Sequence, residues 1–224
     1  MVGENFSTSD VVCHMALASA RVWVAASSCR AKALAQHEIL MLQLEEWSSA
    51  CMSPEQEPLF PYVSGLQLLL SLCMISPDCA KAVLQGDIGK GLTNVLATAQ
   101  DRWCPTLAAA ILAVLLMQHP DACKVSESAL QAASKYIEQH AKRAGDGDEV
   151  NGDAIFMVCT LVQFARRARP GEGTPLSIVT SLLHLWEGLA DSGHLLAVSM
   201  ALTVVTPVAE GSTAVKQQVL YQFL

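Results

Sequence analysis

Leu68–Lys81 reads LLLSLCMISPDCAK, and Ile111–Lys124 reads ILAVLLMQHPDACK, the same pattern returning 43 residues later. Six of the fourteen aligned positions are identical: Leu69/Leu112, Leu72/Leu115, Met74/Met117, Pro77/Pro120, Asp78/Asp121 and Lys81/Lys124. Each copy is an apolar helix, a Pro-Asp break and the start of another helix. Proline lacks an N–H and disfavours helix in the residue before it, so it ends one helix and suits the first turn of the next. One such unit cannot bury its own apolar face, and a period of about 40–47 residues built from helices points to stacked helical repeats.

Working outward, Tyr62–Ile75 is expected to be helical. Ser76-Pro77-Asp78 then opens a short helix, with Ser as N-cap, Pro at the first helical position and Asp at the positive helix end. That helix is expected to close near Gly86 through a left-handed cap. Gly89 or Gly91 should precede a helix to about Ala99, with Leu92, Val95, Leu96 and Ala99 on its apolar side. Asp101-Arg102 reads as a turn, and Pro105 as the start of a long apolar helix to about Gln118.

Residues 76–117, SPDCAKAVLQGDIGKGLTNVLATAQDRWCPTLAAAILAVLLM, resemble an armadillo repeat. They follow its order of short first helix, glycine break, second helix, acidic turn and long alanine-rich third helix. The resemblance covers about 42 residues, becomes partial from 119 onward and is weak before residue 60. It implies an all-α, right-handed solenoid of armadillo/HEAT-like repeats. Such solenoids engage other macromolecules along an extended surface. Armadillo proteins of nuclear import hold basic peptides with a Trp followed one helical turn later by Asn. Here the residues four after Trp23, Trp47, Trp103 and Trp186 are Ser27, Cys51, Leu107 and Ala190, so that array is missing.

At the N-terminal side, residues 1–9 read as a flexible tail. Asp10 can cap a helix over 11–26 with Val12, Met15, Ser19, Val22, Trp23 and Ala26 on one side, and a second helix is expected over 31–51. Together 10–60 form an N-terminal helical pair, closed by a loop carrying Pro54, Pro58 and Pro61. Residues 61–224 form the repeats. Beyond Pro120, helices are expected near 122–142, 153–169, 175–190 and 193–206, and another from Ser212. Prolines 77, 120, 170 and 207 follow the inner helices, and the wider interval holds a polar insertion, AGDGDEVNGD, at 144–153. The expected core is Leu68, Leu69, Leu72, Leu92, Leu96, Leu112, Leu115, Leu116, Val158, Leu161, Leu182, Leu185, Leu196 and Leu202.

Composition bounds the function classes. The chain is 52% hydrophobic and 16% charged, which excludes disorder. The longest apolar run, Leu107–Met117, has eleven residues against the roughly 20 that span a bilayer, so no transmembrane segment is expected. A net charge of −7 lacks the basic footprint of nucleic-acid binding. Eight cysteines without a C-x-x-C pair, and no signal-peptide pattern at the N-terminus, point to reduced thiols in the cytoplasm or nucleus. The C-terminal VKQQVLYQFL is apolar and lacks a stop signal. It gives the expectation of a segment of a longer repeat protein that self-associates through uncapped ends.

Chemistry-bearing motifs are few. The acidic run at 145–153 fails as a calcium loop: from Asp146, position 5 is Val150 and position 6 is Asn151. No zinc spacing, phosphate loop, dinucleotide fingerprint or nucleophile elbow occurs, and no cofactor is implied. Basic residues cluster at two helix ends, Lys142 and Arg143 at one, Arg166, Arg167 and Arg169 at the next. There they offset the helix dipole. As a functional alternative they contact an acidic or phosphorylated peptide, and antiparallel packing would set the two groups at opposite ends. The reading is a non-catalytic protein-binding scaffold; a helical bundle for an apolar ligand or membrane surface, or an all-α enzyme, are the alternatives.

Overall fold

The computed structural model describes residues 8–36, 60–99, 101–145, 149–169 and 173–211. All regular structure among them is α-helical. The helices are α1 (Thr8–Ala25), α2 (Ser28–Ala35), α3 (Phe60–Ile75), α4 (Pro77–Gln85), α5 (Ile88–Thr98), α6 (Cys104–Gln118), α7 (Cys123–Gly145), α8 (Gly152–Arg167), α9 (Leu176–Asp191) and α10 (Leu195–Gly211).

Five helices follow one another sideways in chain order: α1 packs on α3, α3 on α6, α6 on α8, and α8 on α10. A second row runs α4, α5, α7, α9, each against the next, and α5, α7 and α9 also rest on α6, α8 and α10. Hydrogen bonds fix the directions. Gln118, at the end of α6, donates from Nε2 to the Cys73 carbonyl near the end of α3 at 2.9 Å, so these two run the same way. Gln163 of α8 bonds Thr203 of α10. Ser126, early in α7, donates to the Ala165 carbonyl late in α8 at 2.8 Å, so the rows are antiparallel.

The apolar helices sit where this packing demands most burial. α3 and α6 are hydrophobic on all sides, and α6 touches α3, α4, α5 and α8. Twelve of the fourteen expected core residues are buried. Leu202 is half-buried against the core, and Leu196 is a correction, 74% exposed. α10 turns Ala197, Ala201, Val204 and Val205 inward, a 3.6-period row that leaves Leu196 outside. α1 differs likewise: Leu17 and Val24 are buried, while Met15 and Val22, expected on the apolar side, are exposed. Leu17 and Val24 stand seven residues apart, two helical turns, and form the stripe facing α3.

Several boundaries move. α1 begins at Thr8, inside the expected tail, and α3 takes Pro61 into its first turn, where a missing N–H costs no hydrogen bond. The second helix is described only as Ser28–Ala35, and the rest of the expected pair, with Pro54 and Pro58, lies outside the described residues. Ser76 caps α4 as expected, its Oγ accepting from the Cys79 N–H at 3.3 Å. Gly86 ends that helix in an extended conformation (φ −92°, ψ −176°), not a left-handed one. Gly89 and Gly91 lie inside α5, buried, instead of ahead of it. The polar insertion is shorter than expected, since α7 runs to Gly145 and α8 starts at Gly152. Pro207 is held within α10, which continues to Gly211, and residues from Ser212 on lie outside the described ones.

Candidate binding cleft

α6, α8 and α10 lie side by side and begin at one edge of the molecule. The residues that lead into them, Asp101-Arg102, Asn151 and His194, line a single open cleft of about 210 Å³. Gly152 at the start of α8, His140 and Arg143 near the end of α7, and Glu149 and Val150 in the connection complete its wall.

Each entry residue is fixed by the backbone it serves. Asp101 Oδ1 accepts from the Trp103 and Cys104 N–H groups, both at 2.7 Å, and caps α6. Asn151 caps α8 through its Oδ1 on the Ala154 N–H at 3.2 Å, and its Nδ2 donates to the Arg102 carbonyl at 2.9 Å, tying two helix starts together. Gly193 turns the chain after α9 at φ +74°, the one positive φ among the described residues. The His194 ring then lies on Gly152: a Cβ there would meet His194 Cγ at 2.1 Å, so only glycine fits.

The charges of the cleft are unevenly engaged. Arg102 pairs with Asp153 at 3.4 Å on the surface, a contact of small energetic weight. Glu149 is exposed. Arg143 is half-buried and has no carboxylate within ion-pair distance among the described residues. His140 stacks on Tyr136 with ring centres 4.0 Å apart. Its Nδ1 lies 3.1 Å from the Tyr136 carbonyl, an acceptor, which places the proton of the neutral ring on Nδ1. Burial holds the His140 pKa below its ordinary value, the Tyr136 carbonyl opposes this, and the Arg143 charge adds to it. Tyr136 is 1% exposed and its hydroxyl has no hydrogen-bond partner among the described residues. Burial pushes that phenol far above its usual range, and the charges acting on it are Asp101 and Arg143 of the cleft wall.

Apolar groups flank this polar centre. Trp103, next to Arg102, is 56% exposed with the guanidinium 5.7 Å from its ring centre. Leu195 and Leu196, next to His194, are also exposed.

The structure separates the five basic residues singled out in the sequence. Arg143 lines the cleft and Lys142 is exposed beside it. Arg166, Arg167 and Arg169 sit at the end of α8. There α8 meets the start of α7, where Cys123 and Ser126 bond the Ala168 and Ala165 carbonyls. Arg167 covers the Phe164 ring at 5.3 Å, and Arg166 buries its Nε without a hydrogen-bond partner among the described residues. Some 20 residues of α7, about 30 Å of helix, lie between the groups. Sequence reasoning missed Asp101, Arg102, His140, Asn151, Gly152 and His194. The signal that could have found the entry residues is the repeat: each group directly precedes one of three side-by-side helices.

Among the described residues no group of His, Cys, Asp and Glu is placed to hold a metal ion, and no helix is long and apolar enough to cross a membrane. The chain matches no protein-family model, no curated protein and no solved structure.

Proposed function

We propose that this chain is a non-catalytic scaffold, an armadillo/HEAT-like solenoid segment that holds protein partners. The observation that carries this reading is the order of packing: α1, α3, α6, α8 and α10 pack in chain order, α3, α6, α8 and α10 run one way, and two of them carry the sequence repeat. Stacks of this kind offer a long edge built from equivalent helix ends, and partners bind through a few anchor residues on it. Exposed Trp103 is such an anchor in composition and place, beside the cleft. Affinity capture of the tagged chain from cell extract, read by mass spectrometry, tests this. A small reproducible set of proteins should survive moderate salt, and Trp103→Ala should lower its recovery about tenfold or more, the scale of one interface hot spot. Recovery of chaperones alone, or of a set indifferent to Trp103, overturns the reading.

A further inference from the structure

We infer that Cys73 and Cys79 form a redox modification site, a dithiol that peroxide converts to a reversible disulfide across the break between α3 and α4. The inference goes beyond the scaffold reading and does not rest on it.

Geometry carries it. Cys73 is third from the end of α3, Cys79 is the third residue of α4, and their thiols are hydrogen-bonded to each other. Both are free, and both are 0% exposed. Each backbone is pinned beside the break. The Cys73 carbonyl accepts from Gln118 Nε2 at 2.9 Å, and the Cys79 N–H donates to Ser76 Oγ at 3.3 Å. A disulfide needs two cysteines held close, and thiols in contact across a pinned turn meet that demand without a new fold.

The repeat supplies an independent comparison. In the second copy these positions are Leu116 and Ala122, so packing at the break asks for apolar side chains and not for thiols. Cys159 is a buried thiol of the other kind. It stands in α8, and burial pushes its pKa up to about 12.

The two sulfurs of the pair differ in role. The Cys73 S–H donates to Cys79, which lowers the Cys79 pKa against the opposing effect of burial and raises that of Cys73. Cys79 also lies in the first turn of a helix, where thiolate is favoured. The carboxylate of adjacent Asp78 is paired with Lys32 at 2.9 Å, which offsets its charge. Cys79 is therefore the nucleophile and Cys73 the resolving thiol. Water is one helix away, since Pro77, Asp78, Lys81 and Ala82 on α4 are exposed. So short a helix opens locally at small cost, and peroxide is small enough to enter.

The chemistry has two steps. The Cys79 thiolate attacks one peroxide oxygen, the O–O bond breaks, and the departing hydroxide takes up a proton as water. The Cys73 sulfur then attacks Cys79 of the sulfenic acid. The S–S bond forms, the S–O bond breaks, and the Cys73 proton leaves with the hydroxyl as a second water. The two sulfurs lose two electrons and peroxide gains them. The new bond staples α3 to α4 where Pro77, lacking an N–H, interrupts the backbone ladder.

The test treats the folded, reduced full chain with hydrogen peroxide and blocks the remaining thiols with N-ethylmaleimide in denaturant. Peptides are then mapped by mass spectrometry. Cys73 and Cys79 should lose the label together, in a linked species short of two hydrogens, while Cys159 keeps it. Dithiothreitol should restore both. Cys73→Ser should leave Cys79 as a sulfenic acid that dimedone captures, and Cys79→Ser should leave Cys73 labelled. Three results each overturn the proposal: both thiols staying labelled while exposed Cys29 and Cys123 react, linkage of either to another cysteine, or a Cys73 sulfenic acid in the Cys79→Ser chain. The wild-type map alone decides the linkage, so a variant that fails to fold does not shield the proposal.

Discussion

The two copies of the repeat share Pro-Asp and their buried leucines, yet they build different structures after the break. In the first, Ser76 caps α4 at once, and Gly86-Asp87 breaks the helix nine residues later, so α4 and α5 are separate. In the second, the Ser76 position is His119, which offers no cap to the Pro120 turn, and the next helix waits until Cys123. The Gly86 position is then Ala129, fully buried, and α7 runs on for 23 residues without interruption. That extra length is what delivers His140 and Arg143 to the cleft. A serine lost and a glycine replaced by alanine thus turn a break into a reach.

Leu72→Ala and Leu115→Ala should do the greatest damage. Both leucines are fully buried at equivalent positions, so each should cost about 2–5 kcal/mol in denaturant unfolding. A large gap between them would show that the copies do not share one core. Ser76→Ala should cost about 1 kcal/mol by removing the cap on Cys79. Ala129→Gly should cost about 1 kcal/mol, whereas Gly86→Ala should be stabilising by about 0.5 kcal/mol, both read from Tm. The added Cβ at Gly86 meets the Ala82 carbonyl oxygen at 3.4 Å, an ordinary contact, with φ in a range open to any residue.

The reach of α7 also has a pH signature. His140 has its pKa lowered by folding, chiefly by burial, so the folded state holds fewer protons than the unfolded one near and below the ordinary value of 6.5. Its contribution is complete above that pH and is lost as pH falls through the depressed folded value. His140→Phe, which keeps the stacking on Tyr136, should therefore flatten the loss of Tm between pH 7.5 and 5. Arg143→Gln should raise the His140 pKa in an NMR titration. The smallest effect belongs to Met74→Ser and Met117→Ser, paired and exposed in both copies, each within about 0.5 kcal/mol.

Much of the fold was legible because it is local. Helix starts at Pro77 and around Pro105 follow from proline and capping chemistry, and the inward rows of α3, α5 and α6 from apolar spacing. Legibility failed where the apolar content ran around the helix. In α10 and α1 several faces were greasy enough to pack, and only the neighbouring helix selected Ala197–Ala201–Val204 over Leu196, and Leu17–Val24 over Met15 and Val22. Gly89 and Gly91 misled for a related reason: glycine marks a turn in isolation, but a close helix crossing also buries it.

The candidate site divides the same way. Arg143 was visible as a basic residue at a helix end, and the separation of its cluster from Arg166–Arg169 followed from antiparallel packing. Asp101, Asn151 and His194 were silent, since each is an ordinary cap or turn residue in its own segment.

By itself the sequence determined that the chain is all-helical, where most of its helices break, and which leucines leave water, because capping, proline geometry and apolar burial act within a few residues. The tertiary structure alone decided that three helix starts some 50 residues apart share one edge, and that α7 carries Arg143 to it with no carboxylate at ion-pair distance among the described residues. Side-by-side packing is set by shape complementarity between distant surfaces, and no local pattern encodes that.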